Sequence, residues 1–260
     1  MPAKMGGNWR FPSRLASHRR MTPGQRKRWQ GACIVMAVLL LIMACLLAGI
    51  ALWTNWDVAL ADGAFDARTK VFPLRHAWVT ETFNHVILKR IFTALALGFL
   101  IVVLWDLAAP RQWSVLRRLQ MRVVALTAVI VPTAISLLKQ YSGSHCPWDL
   151  ERYGGTAPYV RLFEYLPSGL APGHCMPAGH ASSALWMISL SIFFVPHRLT
   201  RAAVVLATLL FVGVGVGWMQ QLRGAHFLTH TLWSAWIALV LFFLIAMCLD
   251  RWPVRPAQKI

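Results

Sequence analysis

Six stretches of this chain approach the roughly 20 apolar residues that a helix needs to cross about 30 Å of hydrocarbon. They are Ala32–Trp53, Ile91–Ala109, Val123–Leu138, Ala181–Pro196, Ala202–Leu222 and Thr231–Leu249. The third and fourth are short, which predicts that polar residues extend those helices at one end. The first is too long for the apolar core of a signal peptide and reads as an anchor. Composition agrees: 57% of residues are apolar and 13% charged, where a soluble domain sits near 45–50% and about 25%. Disorder and a disulfide-framework secreted domain are excluded, the first by apolar content and the second by having only five cysteines in 260 residues.

The 26 Lys and Arg against 9 Asp and Glu give a formal charge of +17, a balance that suits either nucleic acid or an anionic membrane surface. Placement decides between them. Seventeen bases fall on the side of the two termini, whereas seven acids fall in loops on the opposite side. Bases favour the cytoplasmic side of short loops, so both termini are predicted cytoplasmic and a nucleic-acid-binding face is excluded. The expected organisation is an unstructured basic tail at 1–31 gripping anionic lipid, an all-α bundle of six membrane spans at 32–249, and a cytoplasmic tail at 250–260. Residues Ala77–Ile91 are amphipathic at helical spacing and are expected to lie along the outer interface.

Three local patterns share the outer face. Span three ends in Lys139-Gln140-Tyr141-Ser142-Gly143-Ser144-His145-Cys146-Pro147-Trp148-Asp149, a lysine with hydroxyl and backbone donors behind it, which suits a phosphate, although a lysine at that place is more often a snorkelling anchor. Met176-Pro177-Ala178-Gly179-His180-Ala181-Ser182-Ser183 leads into span four. There the free N–H groups of a new helix make an anion site beside a histidine able to protonate a leaving alkoxide, or else simply start a helix. The turn before span six reads Gln220-Gln221-Leu222-Arg223-Gly224-Ala225-His226-Phe227-Leu228-Thr229-His230. It places His226 and His230 at i and i+4, one ring able to orient the other, with Arg223 alongside. Such a pair is also half of a metal site, but no third ligand stands at an obvious spacing. His145 and His174 share this face.

In order and topology these patterns resemble the type 2 phosphatidic acid phosphatases (PAP2), whose signatures read Lys-x6-Arg-Pro, Pro-Ser-Gly-His and Ser-Arg-x5-His-x3-Asp. Lys139-x6-Cys146-Pro147, Pro177-Ala178-Gly179-His180 and His226-x3-His230 take the three places, and the resemblance covers about half the chain. It implies a six-span bundle, no metal or other cofactor, and the chemistry of a phosphohistidine. His226 would be the nucleophile, His180 the general acid, and His230 the residue orienting His226. Lys139, Arg223, Gly179 and Ser182 would bind phosphate. The implied partners are membrane lipids and a lipid phosphate substrate, such as undecaprenyl pyrophosphate, phosphatidic acid, phosphatidylglycerol phosphate or a lipid A phosphate. The implied place is the periplasmic face of a bacterial inner membrane.

Four positions depart from the pattern: Cys146 replaces an arginine, Ala178 a serine, Gln220 the second arginine and His230 the aspartate. Arg223 would compensate for Gln220 if both share a helical face. A neutral His230 fixes a tautomer without stabilising an imidazolium, so Asp149 or Glu151 is a candidate for the missing charge. Cys146 and Cys175 flank the first two motifs on the oxidising side and are expected to form a disulfide across the 139–180 loop. The segment from Leu150 to His174 is expected to cover the site or bind a headgroup. Three rivals stand beside this hydrolase: a lipid phosphotransferase with the same site, a catalytically inactive relative with a binding role, and a bis-histidine haem protein. The last needs ligands within the spans, whereas these histidines sit at helix ends.

Overall fold

A computed structural model describes residues 22–162 and 164–248; residues 1–21 of the expected N-terminal tail, the last residue of the expected sixth span, Leu249, and the expected tail at 250–260 lie outside the described residues. Among those described there is no strand, only two isolated bridges, Asp66 to Val71 and Leu150 to Ala157. Helices α1 (Pro23–Trp53), α3 (Val79–Ala108), α4 (Val115–Gln140), α6 (Leu199–Leu222) and α7 (Leu228–Met247) are long and apolar enough to cross a membrane. Helix α2 (Trp56–Ala64) is short, and α5 (Gly179–Phe194) is apolar but shorter than the other five.

Several bounds differ from the sequence reading, each for a local reason. Helix α1 starts at Pro23 rather than Ala32, because Thr22 and Gln25 form a reciprocal capping box and Pro23 fills the first helical position. Arg26, Lys27 and Arg28 are therefore helical rather than part of a tail. Residues Val79–Leu88 are not a segment apart from the second span; they form a π-helix that runs directly into the α-helical part of α3 at Lys89. Helix α4 starts eight residues early at Val115, where the Ser114 side chain accepts from the Arg117 N–H at 3.2 Å.

The core surrounds α5. Leu185, Trp186, Ile188 and Ile192 are buried against Val123, Val124, Val131 and Ile135 of α4 and Ala235, Ala238 and Leu239 of α7. Glycines let α6 approach on the other side. A Cβ on Gly213 would stand 2.5 Å from Leu185, and one on Gly217 would stand 2.3 Å from Thr231 of α7, the close backbone approach that small residues permit between membrane helices. The second half of α5, Trp186–Phe194, is a 3₁₀ helix. Its carbonyls are taken up locally, by Ser189 Oγ on Trp186 at 2.8 Å and Ser191 Oγ on Ile188 at 2.7 Å. The Gln120 amide donates to Ile192 and Val195 at 3.1 and 2.9 Å. Such partners matter where no water reaches the backbone.

At one end of the bundle, α2 and the segment after α4 build a second, smaller core of Ala61, Phe72, Leu150, Tyr153, Ala157 and Phe227. Arg152 grips Asp62 bidentately at 2.7 and 2.6 Å, and the Tyr153 hydroxyl donates to the same carboxylate at 3.0 Å. Asp57 of α2 accepts from the Thr229 N–H at 3.0 Å and from its hydroxyl, so α2 caps α7.

Candidate active site

The same end of the bundle holds a cavity of about 740 Å³. Lys139 reaches it from the last turn of α4, Gly179, His180, Ser182 and Ser183 from the start of α5, and Arg223, Ala225 and His226 from the turn between α6 and α7. Cross-ties hold these pieces in register. The Ala178 N–H donates to the His230 carbonyl at 3.1 Å, and Ser234 Oγ donates to the Ala178 carbonyl at 3.2 Å, which fixes the start of α5 against α7. Gly224, at φ +75°, makes the turn that brings His226 inward; there a Cβ would lie 2.4 Å from the Phe72 ring.

Cys146 and Cys175 are joined by a disulfide spanning 29 positions. Cys175 Sγ lies 3.4 Å from His226 Nδ1, so the bridge stands directly behind that ring. The two sulfurs and a His226 nitrogen lie within 4.8 Å of one another. That is not the donor set of a metal centre, because the disulfide consumes both thiolates and leaves one imidazole. His226 lies outside the helices and is 6% exposed. Burial, and after it the charges of His230, Lys139 and His180, hold its pKa well below the ordinary value of 6.5, against an opposing hydrogen bond with the Cys175 backbone. The ring is neutral at physiological pH.

His226 and His230 stack edge to face with centroids 5.8 Å apart. His230 has a further partner of its own: Ser144 Oγ sits 3.1 Å from His230 Nε2, a contact from the loop after α4 that no spacing in the sequence announced. Asp149 does not reach the histidines by any hydrogen bond among the described residues. Its carboxylate accepts from the Cys146 N–H at 3.3 Å and caps its own short turn. Glu151 opens the next turn, its backbone N–H donating to Ala157.

Arg223 and Gln220 do share a face. Arg223 Nη1 donates to Gln220 Oε1 at 3.1 Å, Nε to the Arg75 carbonyl at 2.9 Å, and Nη2 to Glu81 at 3.2 Å. Ser182 Oγ donates to the Gly179 carbonyl at 2.6 Å. Of the loop from Leu150 to His174, no described residue lines the cavity; it packs into the smaller core instead, and only Cys146 and Trp148 represent the 140–178 segment on the wall. His145 and His174 also stay outside that wall.

Sequence reasoning missed His85 and Lys89, which line the cavity from α3. The His85 and His180 rings stand 4.7 Å apart. A signal existed: Glu81, His85 and Lys89 follow one another at i+4, the spacing that drew attention to His226 and His230. Below this polar head the cavity continues along Ala96, Leu97 and Leu100 of α3 and Ala128, Val129 and Pro132 of α4. It is therefore a polar pocket joined to an apolar slot between two helices. Among known proteins, no curated sequence and no solved structure matches the chain. A family model described as PAP2 superfamily matches residues 119–253, just over half of it.

Proposed function

The chain belongs to the PAP2 superfamily, whose activity is of phosphatase type on phosphate esters, and from that premise we propose that it removes a phosphate or pyrophosphate end from a lipid through a phosphohistidine. The observation that carries the reading is the two-part cavity. Its head holds three imidazoles, Lys89, Lys139 and Arg223 without any carboxylate on the wall, and its slot offers only apolar and hydroxyl surface between α3 and α4. A phosphate fits the first part and a lipid chain the second.

The chemistry follows from the rings. With Nδ1 of His226 turned to Cys175, Nε2 is the atom available to phosphorus, and the neutral ring keeps its lone pair for attack. A N–P bond forms as the bond to the leaving oxygen breaks, and His180 gives that oxygen its proton. His180 suits the task because both its ring nitrogens are buried without a well-formed hydrogen bond, having only a looser approach to the Asn84 backbone. A bound phosphate dianion supplies the negative charge that lets it carry the proton beforehand. Water then attacks the phosphohistidine, His180 takes the water's proton, and inorganic phosphate leaves with His226 regenerated. Lys139 and Arg223 face the equatorial oxygens, where charge builds. His230 stands where the family has a carboxylate, edge to face with His226 and itself held by Ser144, so the ring is positioned while imidazolium stabilisation falls to the Cys175 backbone.

The six-span reading gains support from the 3₁₀ half of α5. Seven α-helical residues and nine 3₁₀ residues rise about 28 Å together, close to the roughly 30 Å of hydrocarbon. With six spans and the bias of basic residues, both termini are cytoplasmic and the cavity faces the periplasm of a bacterial inner membrane. The test is phosphate release by purified protein in detergent from phosphatidic acid, phosphatidylglycerol phosphate, a polyprenyl pyrophosphate and lipid A. Release from at least one lipid, lost in His226→Ala and His180→Ala, is expected. Folded wild-type protein that releases nothing above those variants would overturn the reading.

A further inference from the structure

Neither His85 nor Lys89 falls in the part of the chain that the family match covers, yet both line the same cavity as the motif residues. The π-helical start of α3 is what puts them there. In an α-helix, residues four apart drift by about 40°. The wider i→i+5 turn of a π-helix reduces that drift over Val79–Leu88, so Glu81, His85 and Lys89 follow one line, and Thr93 and Leu97 of the α-helical part line the cavity further down.

The charges along this line are unequal in their commitments. Glu81 is engaged by Arg223 at 3.2 Å and by His76 at 3.2 Å. Lys89 forms no ion pair among the described residues, nor does Lys139, and the two are close enough for their charges to repel. Two unopposed lysines with His85 and His180 on the same wall leave it at odds with itself until an anion of about two negative charges binds. The two arginines of the family pattern are missing from this chain, as Cys146 and Gln220, and Arg223 spends three of its donors on Gln220, Glu81 and the Arg75 carbonyl.

Resting on the phosphatase reading, we propose that His85 and Lys89 are direct ligands of the substrate's phosphate oxygens, supplying from α3 the donors that the two absent arginines would have given. Lys89 acts as a point charge and His85 as an N–H donor beside the His180 ring. A lipid headgroup and free inorganic phosphate present the same oxygens, so orthophosphate reports the site.

The experiment is calorimetric titration of full-length protein in detergent with inorganic orthophosphate, with thermal midpoints recorded for each variant. Lys89→Gln is expected to weaken binding about tenfold or more and His85→Gln about threefold or more, the range of one charge-assisted hydrogen bond. Lys89→Arg is expected to retain affinity, and Arg90→Gln, a neighbouring cation off this wall, to bind as wild type. With lipid substrate, Lys89→Gln raises KM. Wild-type affinity in both Lys89→Gln and His85→Gln overturns the proposal and leaves the phosphatase reading intact. Equal losses in Lys89→Gln and Arg90→Gln also overturn it, because they report only a general positive field. A wild type that neither binds orthophosphate nor releases it from lipid overturns both.

Discussion

Replacing both Cys146 and Cys175 by serine tests whether the bridge is a spring behind the nucleophile or an ornament of the loop. The closed loop spans 29 positions, for which chain-entropy arithmetic gives about 3.6 kcal/mol at 25 °C. This is an upper value, because α4 and α5 stay inserted in a micelle and the loop ends remain near each other. For a chain of this size it corresponds to roughly 7–14 °C in thermal midpoint. The bridge also backs the His226 ring, with Cys175 Sγ 3.4 Å from Nδ1 and 3.2 Å from the Ala225 carbonyl. Losing it loosens the attacking atom as well as the loop, and turnover should fall about tenfold or more. The assay compares thermal midpoint and phosphate release for the double variant, for wild type with and without reductant, and for Cys45→Ser, whose thiol is free. Reductant should move wild type to the double variant and leave the double variant unmoved. A midpoint change under about 1 °C together with unchanged turnover would refute the reasoning.

Three further outcomes are expected. Because burial holds His226 well below its ordinary 6.5, the unfolded chain takes up a proton there first as pH falls. Stability linked to the neutral ring is full above that value and lost as pH drops toward the folded pKa, so wild type should lose more thermal midpoint than His226→Gln between about pH 7 and pH 5, and parallel curves would contradict this. Asp57→Ala removes the acceptor for the Thr229 N–H and hydroxyl and should cost about 1–2 kcal/mol, seen as a lowered midpoint. Asp57→Asn should lose less, since burial already raises the pKa of this carboxyl and favours its neutral form. Gly224→Ala places a Cβ at φ +75° and 2.4 Å from Phe72, a strain of about 1–3 kcal/mol; activity should drop with His226 two residues on, and Phe72→Leu should restore part of it by relieving the contact alone.

What the sequence made legible divides along a physical line. Long apolar runs are a property of consecutive residues, so the positions of the long helices could be read directly, and so could histidine pairs at helical spacing within one turn. Helix starts were misplaced where polar residues carry the signal. The capping box at Thr22 and Gln25 was there to be read, but the membrane criterion counts only apolar residues. The 3₁₀ half of α5 was not readable, because it depends on Ser189, Ser191 and Gln120 meeting its carbonyls. His85 was missed for a similar reason: its neighbour His180 lies 95 positions away, and only the packing of α3 beside α5 makes them a pair. Ser144 on His230, and Asp57 on Thr229, are likewise contacts between distant segments.

The apolar slot reaches Leu97 and Val129, side chains that stand exposed on the flank of the bundle between α3 and α4. On the proposed reading that flank faces lipid, and this changes what concentration means for the protein. A molecule arriving sideways is encountered at a density fixed by its share of the surrounding amphiphiles, not by its amount per litre. Diluting the whole preparation at constant composition should leave the rate per protein unchanged, whereas adding inert amphiphile to the same volume should slow it. Saturation then belongs on an axis of mole fraction, and two laboratories reporting the same micromolar value would be describing different degrees of crowding in the plane.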